Sequence, residues 1–280
     1  MVSLIGIGGA MIANYGYLET VPYTNRSHFV FRSPLEEREH AESRIAYLKE
    51  KYAPAILDQH HPHTVRVNRI ASKLIHAVHR DLVTKRHDTV TLHSDNVGSA
   101  MEVFSRTMWK ERRKQPQTRH LDGLNWEVIV IKDNHIDMWS LPAGKIIVPT
   151  GLLKFYKTDA ELASVIAHEI GHIVARHWAE KIIYDKWLPR PLKLPFCRRA
   201  ETEADLIGMM LLGSAGFDPR IAPLAIEKLG DSNRGFLCTH PSNKKRSQLL
   251  SETEIMEEAL KLYREVNPHQ NTERSLQVKF

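Results

Sequence analysis

Apolar positions recur at three and four residues over most of this chain, and only two short stretches break into extended runs. From Ser33, the segment SPLEEREHAESRIAYLKEKY opens with an N-cap candidate, Pro34 at the first helical position and acidic residues in the first turn, the order expected at a helix start. After Pro54 and an HHPH loop, Val67, Ile70, Ala71, Leu74, Ile75, Val78 and Leu82 share one face of a second amphipathic helix. Periodicity is then lost over residues 84 to 120. At Trp126 the pattern becomes WEVIVIKD, a β-branched run that ends in the turn-like Asp133-Asn134. A second extended segment runs from Lys145 to Val148, and Pro149 ends or edges it, because proline cannot donate a ladder hydrogen bond. Beyond that strand the chain reads as helical, with breaks expected at Gly213, from Gly216 to Pro219 and from Gly230 to Pro241.

These segments organise the chain into four parts: an uncharged stretch over 1–18, N-terminal helices with a basic linker over 19–125, a core over 126–266 and a polar tail over 267–280. The first stretch is Gly-rich, interrupted by Asn14 and short of the roughly 20 apolar residues of a full span, so it reads as a membrane-anchoring helix or a leader. The predicted fold class is α+β, mostly helical, with a small sheet whose Lys145 to Val148 strand lies at the rim of a cleft.

With 280 residues, 42% of them hydrophobic and 26% charged, the composition excludes low-complexity and wholly disordered classes. Two cysteines, Cys197 and Cys238, cannot build a disulfide framework, so stability must come from packing or a metal. The net charge of +6 suits an anionic surface but is too mild to name a partner, and the run KERRK (Lys110 to Lys114) reads as a solvated loop. No aromatic interleaving or binding motif accompanies it, so no nucleic-acid partner is expected. Sixteen histidines invite a metal reading, yet His60, His61, His63, His76, His79 and His87 have no spacing that closes a tetrahedral site.

The chemistry concentrates in TDAELASVIAHEIGHIVARHWAEK, where Thr158 and Glu161 form a capping box and Leu162, Val165, Ile166, Ile173 and Val174 supply an apolar face. On that helix His168 and His172 lie one turn apart on the same face, so both imidazoles can reach one zinc ion. Glu169 lies beside that face, where it can take a proton from an activated water without ligating the metal. Downstream, Glu201 and Asp205 share a face of a second helix that begins near Cys197. One of these carboxylates can complete the ligand set while the other accepts a hydrogen bond from a ligating imidazole. Glu203 points elsewhere and is expected to be solvated, and Asp205 has the alternative of a surface ion pair with Arg198 or Arg199. A thiolate from Cys197 or Cys238 is the alternative ligand.

HEIGH followed by ETEAD, with LPAGKIIVPTGLL before them and THPSNKKR after, resembles the integral-membrane metallopeptidase family that includes the CAAX prenyl endopeptidases and bacterial HtpX. ETVPYTNRSHFV, LDGLNWEVIVI and AGFDPRIAP resemble its mitochondrial inner-membrane branch, so the similarity covers roughly residues 19 to 266. The resemblance implies a zincin-like fold holding one Zn2+ on His168, His172 and Glu201, with Glu169 as general base, Asp205 behind the ligands and His240 near the metal. It also implies residence at the mitochondrial inner membrane and a role in protein quality control. The chain departs from the pattern at Asp137-Met138-Trp139, at Pro149, and in the proline-broken KWLPRPLKLPF where relatives carry a long hydrophobic stretch. The expected activity is a zinc-dependent endopeptidase that holds protein substrates extended along a strand edge. Association with a membrane and assembly into a homo-oligomer are compatible with it. The rival from another class is a catalytically silent zinc-binding chaperone or adaptor, and the intact Glu169 argues against it.

Overall fold

The computed structural model describes residues 17–84, 118–230 and 242–268. Nearly all of the charge-free start, the basic run Lys110 to Lys114, His87, Cys238, His240 and nearly all of the polar tail lie outside the described residues.

The chain enters as an antiparallel hairpin, β1 (Tyr17–Thr20) and β2 (Ser27–Val30), in the segment where only helices were expected. Helix α1 (Pro34–Tyr52) follows, and its capping box is complete: Ser33 accepts from the Glu36 backbone while the Glu36 carboxylate reaches back to the N-cap. Helix α2 (Pro62–Val78) buries Val67, Ile70, Ala71, Leu74 and Val78, the face its periodicity predicts.

The sheet has three strands, β3 (Glu127–Ile131), β4 (Trp139–Leu141) and β5 (Lys145–Pro149), in the order β3-β5-β4. β5 pairs parallel with β3 and antiparallel with β4, so the strand expected at the rim is the central one. Its composition explains the correction, because all five residues are buried and a β-branched run covered on both faces belongs inside a sheet. Pro149 is tolerated as the last residue of the ladder, opposite Ile131, immediately before the short helix α3 (Thr150–Phe155). The outer side of β3 is covered by residues 55–57, through the Leu57 N–H to the Val130 carbonyl and the Lys132 N–H to the Ala55 carbonyl. The edge left for pairing is therefore β4.

The rest is helical: α4 (Asp159–Val174), α5 (His177–Trp187), α6 (Arg190–Ser214), α7 (Ile221–Lys228), α8 (Asn243–Leu250) and α9 (Thr253–Val266). α6 starts before Cys197 and takes in Pro195, so the proline-rich join is two helix ends and the turn between them. Gly213 does not break α6 either. A side chain there would strike the Ala259 carbonyl of α9, which makes it a packing glycine, whereas the chain does turn at Gly216, with φ of +81°. A continuous core of residues from α2, the sheet, α4, α6 and α7 surrounds the zinc-motif helix, with Leu162, Ile166 and Ile170 fully buried. Among the described residues no helix is long and apolar enough to cross a membrane.

Candidate metal centre

Helices α4 and α6 approach closely because each presents a glycine to the other. A Cβ at Gly171 would lie 2.6 Å from the Ala204 carbonyl oxygen, and one at Gly208 would lie 2.9 Å from the His168 backbone nitrogen. Any side chain at either position would force the helices apart. The capping box at Thr158 and Glu161 fixes where α4 starts, and hence which residues face α6.

Across that contact the structure brings His168, His172 and Glu201 together, with one ligand atom from each within 4.8 Å of the others. His168 Nε2 and His172 Nε2 are 3.1 Å apart, and the two Glu201 oxygens lie 3.5 Å from the first and 3.6 Å from the second. Two nitrogens bound at about 2.05 Å with a tetrahedral angle between them would be separated by about 3.3 Å, so this donor set fits zinc. Two imidazole nitrogens this close must share a proton or a metal between them. Proton and metal thus compete for the same lone pairs. Burial works against charging His168, but the Asp205 and Glu201 carboxylates overcome it and pull its pKa up to about 10. His172 is driven well below the usual histidine range by burial and by its histidine neighbours, against the pull of Glu201.

Asp205 lies behind His168, whose Nδ1–H donates to Oδ1 over 2.8 Å. Its partner is not Arg198 or Arg199 at the surface but the buried Arg246 of α8, which donates from Nε to Oδ2 at 2.6 Å and from Nη2 to Oδ1 at 2.7 Å. Glu169 is half-buried beside the triad and accepts from Ser140 Oγ of β4 at 2.6 Å. Burial raises its pKa, against the attraction of His168 and the Ser140 hydroxyl. Cys197 stands one turn before Glu201, half-buried, and is not among the clustered donors; Cys238 and His240 lie outside the described residues.

Glu203, expected to be solvated, is 4% exposed. Two residues from Glu201 it occupies the opposite side of α6, and that side is covered by the β1–β2 hairpin and by α5. It accepts from Thr24, Arg26 and His177, and His177 Nδ1 is in turn 2.8 Å from His172 Nδ1. His177, Arg26, Ser140 and Arg246 were all missed by sequence reasoning. His177 and Arg246 do lie within the quoted motifs, five residues after His172 and at the end of THPSNKKR.

The same network extends to Glu180, which takes Arg26 Nη1 at 2.7 Å and His28 Nδ1 at 2.5 Å. Burial opposes its ionisation, but those partners prevail and hold its pKa down to about 2 against 4.5 when unfolded. A carboxylate depressed on folding stabilises above its unfolded pKa and loses that contribution as pH falls through the folded value. Metal-free protein should therefore lose stability between about pH 4.5 and about pH 2. Urea melts at stepped pH should show Glu180→Gln less stable at neutrality with a shallower acid slope. An unchanged slope would remove Glu180 from this account.

The triad opens on a cleft of about 540 Å³ whose walls include Trp139, Trp178, Tyr184 and Phe196. Residues 106–191 and 187–254 match the profile of peptidase family M48. The chain is 38% identical to the mitochondrial metalloendopeptidase OMA1 of Arabidopsis thaliana, over 95% of its own length and 67% of that protein's. Identity to the Schizosaccharomyces pombe protein of the same name is 31%, over 94% of this chain and 77% of the other. The β-barrel assembly-enhancing protease of Escherichia coli K12 is 27% identical over 42% of this chain and 32% of its own.

Proposed function

The chain belongs to peptidase family M48, and from that premise we propose that it is a zinc metalloendopeptidase acting on protein substrates in mitochondria. The observation that carries this reading is the His168, His172 and Glu201 triad on two touching helices, with the carboxylate of Glu169 beside it in the hold of Ser140. His168 and His172 would hold the ion through Nε2 and Glu201 through its carboxylate. When bound, zinc supplies Lewis acidity toward the scissile carbonyl and acidifies the attacking water.

The protein groups do the rest. Glu169 accepts the proton of that water and returns it to the leaving amine, and burial raises its proton affinity toward that task. Ser140 holds one carboxylate oxygen, so the base is aimed before substrate arrives. Because Ser140 belongs to β4, the free edge of the sheet, a substrate strand added there would run past the base it orients. Asp205, fixed by Arg246, keeps the proton of His168 on Nδ1. His240 enters this proposal from the family resemblance alone, as a group on the open side of the metal. Inner-membrane residence is likewise inferred from the resemblance and from relatives named as mitochondrial. The silent chaperone or adaptor has no observation in its favour, since the base is present and oriented.

A casein-type cleavage assay tests the reading. A strong zinc chelator should abolish cleavage, and restoring stoichiometric zinc should recover it, with about one zinc per chain by elemental analysis. Full activity in metal-stripped protein would refute the proposal.

A further inference from the structure

The two histidines of the triad are supported differently. His168 leans on a carboxylate, which can only accept, so its proton must sit on Nδ1 and its Nε2 is left for the metal. His172 leans on another imidazole, His177, through an Nδ1 to Nδ1 contact of 2.8 Å. A histidine can donate or accept at either nitrogen, so this contact alone fixes nothing. If His177 donated, the proton of His172 would move to Nε2 and block the metal.

The decision is made one residue further out. His177 Nε2 is 3.0 Å from Glu203 Oε2. Glu203 accepts at Oε1 from Thr24 Oγ1 at 2.6 Å, and Arg26 grips it with Nε at 2.9 Å from each oxygen and Nη2 at 2.5 Å from Oε2. A carboxylate held in this way stays an acceptor, so the N–H of His177 belongs on Nε2. His177 and Glu203 are 6% and 4% exposed, which leaves little room for water to take over either contact.

We propose that His177 is a positioning residue of the metal centre, and that Glu203 with Thr24 and Arg26 of the β1–β2 hairpin sets its tautomer: Nδ1 of His177 accepts from His172, and the Nε2 lone pair of His172 turns to the metal. The N-terminal hairpin is thereby part of the metal site, although it is about 150 residues from the zinc helix in sequence. The inference rests on the reading that His172 is a ligand.

The test is zinc affinity of the full chain, by competition with a chromophoric chelator, beside the melting temperature of the metal-free protein. His172→Ala is the reference for losing a ligand. His177→Phe keeps ring volume but removes the acceptor, and should weaken zinc binding by about 10- to 100-fold. His177→Asn places an amide oxygen near the lost Nδ1 and should recover most of that affinity. Arg26→Gln loosens Glu203 from a distance and should weaken zinc binding in the same direction by a smaller factor. With cobalt in place of zinc, the visible spectrum of His177→Phe should shift while that of His177→Asn stays near wild type.

Wild-type affinity in His177→Phe, alongside metal loss in His172→Ala, would overturn the inference and leave the ligand reading intact. Equal losses in His177→Phe and His177→Asn would also overturn it, because a packing role does not distinguish an acceptor from its absence. Wild-type affinity in His172→Ala would instead overturn the ligand reading itself.

Discussion

Glu169→Gln should retain its zinc and lose between about a hundredfold and ten-thousandfold in turnover, the range that a positioned general base contributes. Glutamine has the shape of glutamate, and its carbonyl oxygen can still accept from Ser140 Oγ, so the fold around the triad should be undisturbed. What is lost is a group able to take a proton beside the His168, His172 and Glu201 cluster. Metal content and cleavage rate measured on the same preparation separate this from ligand loss. His168→Ala, His172→Ala and Glu201→Ala should fail on metal content first. Wild-type turnover in Glu169→Gln would sink the assignment of the base.

The largest effect on stability should come from Asp205→Asn. Asp205 and Arg246 are a buried bidentate pair at 2.6 and 2.7 Å, and the aspartate also orients His168. Removing one charge leaves the other buried without its bidentate partner, at a cost of about 3–5 kcal/mol. Arg246→Met should cost a similar amount, from the other side of the pair. The double variant should recover much of that stability, since a buried pair replaced as a unit by uncharged groups is often neutral. It should not recover metal affinity, because His168 would still lack its carboxylate partner. Denaturant melts and zinc competition on the two single variants and the double variant read both quantities. Burial opposes the ionisation of Asp205, but Arg246 and His168 together hold its pKa below 3.8, so the pair's contribution persists above that pH and fades as acid carries the protein below it. Near-additive losses in the double variant would show that the two side chains are not acting as a pair.

Local chemistry made much of this protein legible in its sequence. An N-cap at Ser33, a capping box at Thr158, a 3.6-residue apolar period in α2 and α4, and β-branched runs in β3 and β5 each depend on neighbours within a few residues. The same holds for His168 and His172, whose common face is a consequence of helical spacing, and for Glu169 beside that face. Glu201 and Asp205 share a face for that reason too, and the α+β class follows from the order of the elements.

Other features needed the folded chain, because spacing gives the direction of a side chain but not what covers it. Glu203 was read as solvated from its angle on α6 alone, and became buried when a hairpin remote in sequence closed over that side. The strand from Lys145 was placed at the rim of a cleft, yet neighbours on both sides put it at the centre of the sheet and gave the edge to β4. Arg246 found Asp205 across 41 residues, and Arg26 found Glu203 across 177, in pairings that no local period encodes. By itself the sequence determined which atoms could meet a metal, since one turn of helix brings two imidazoles together. Only the tertiary structure decided which protons those imidazoles carry, because the tautomer of each ring is set by the acceptor on its far side, and every such acceptor comes from another element.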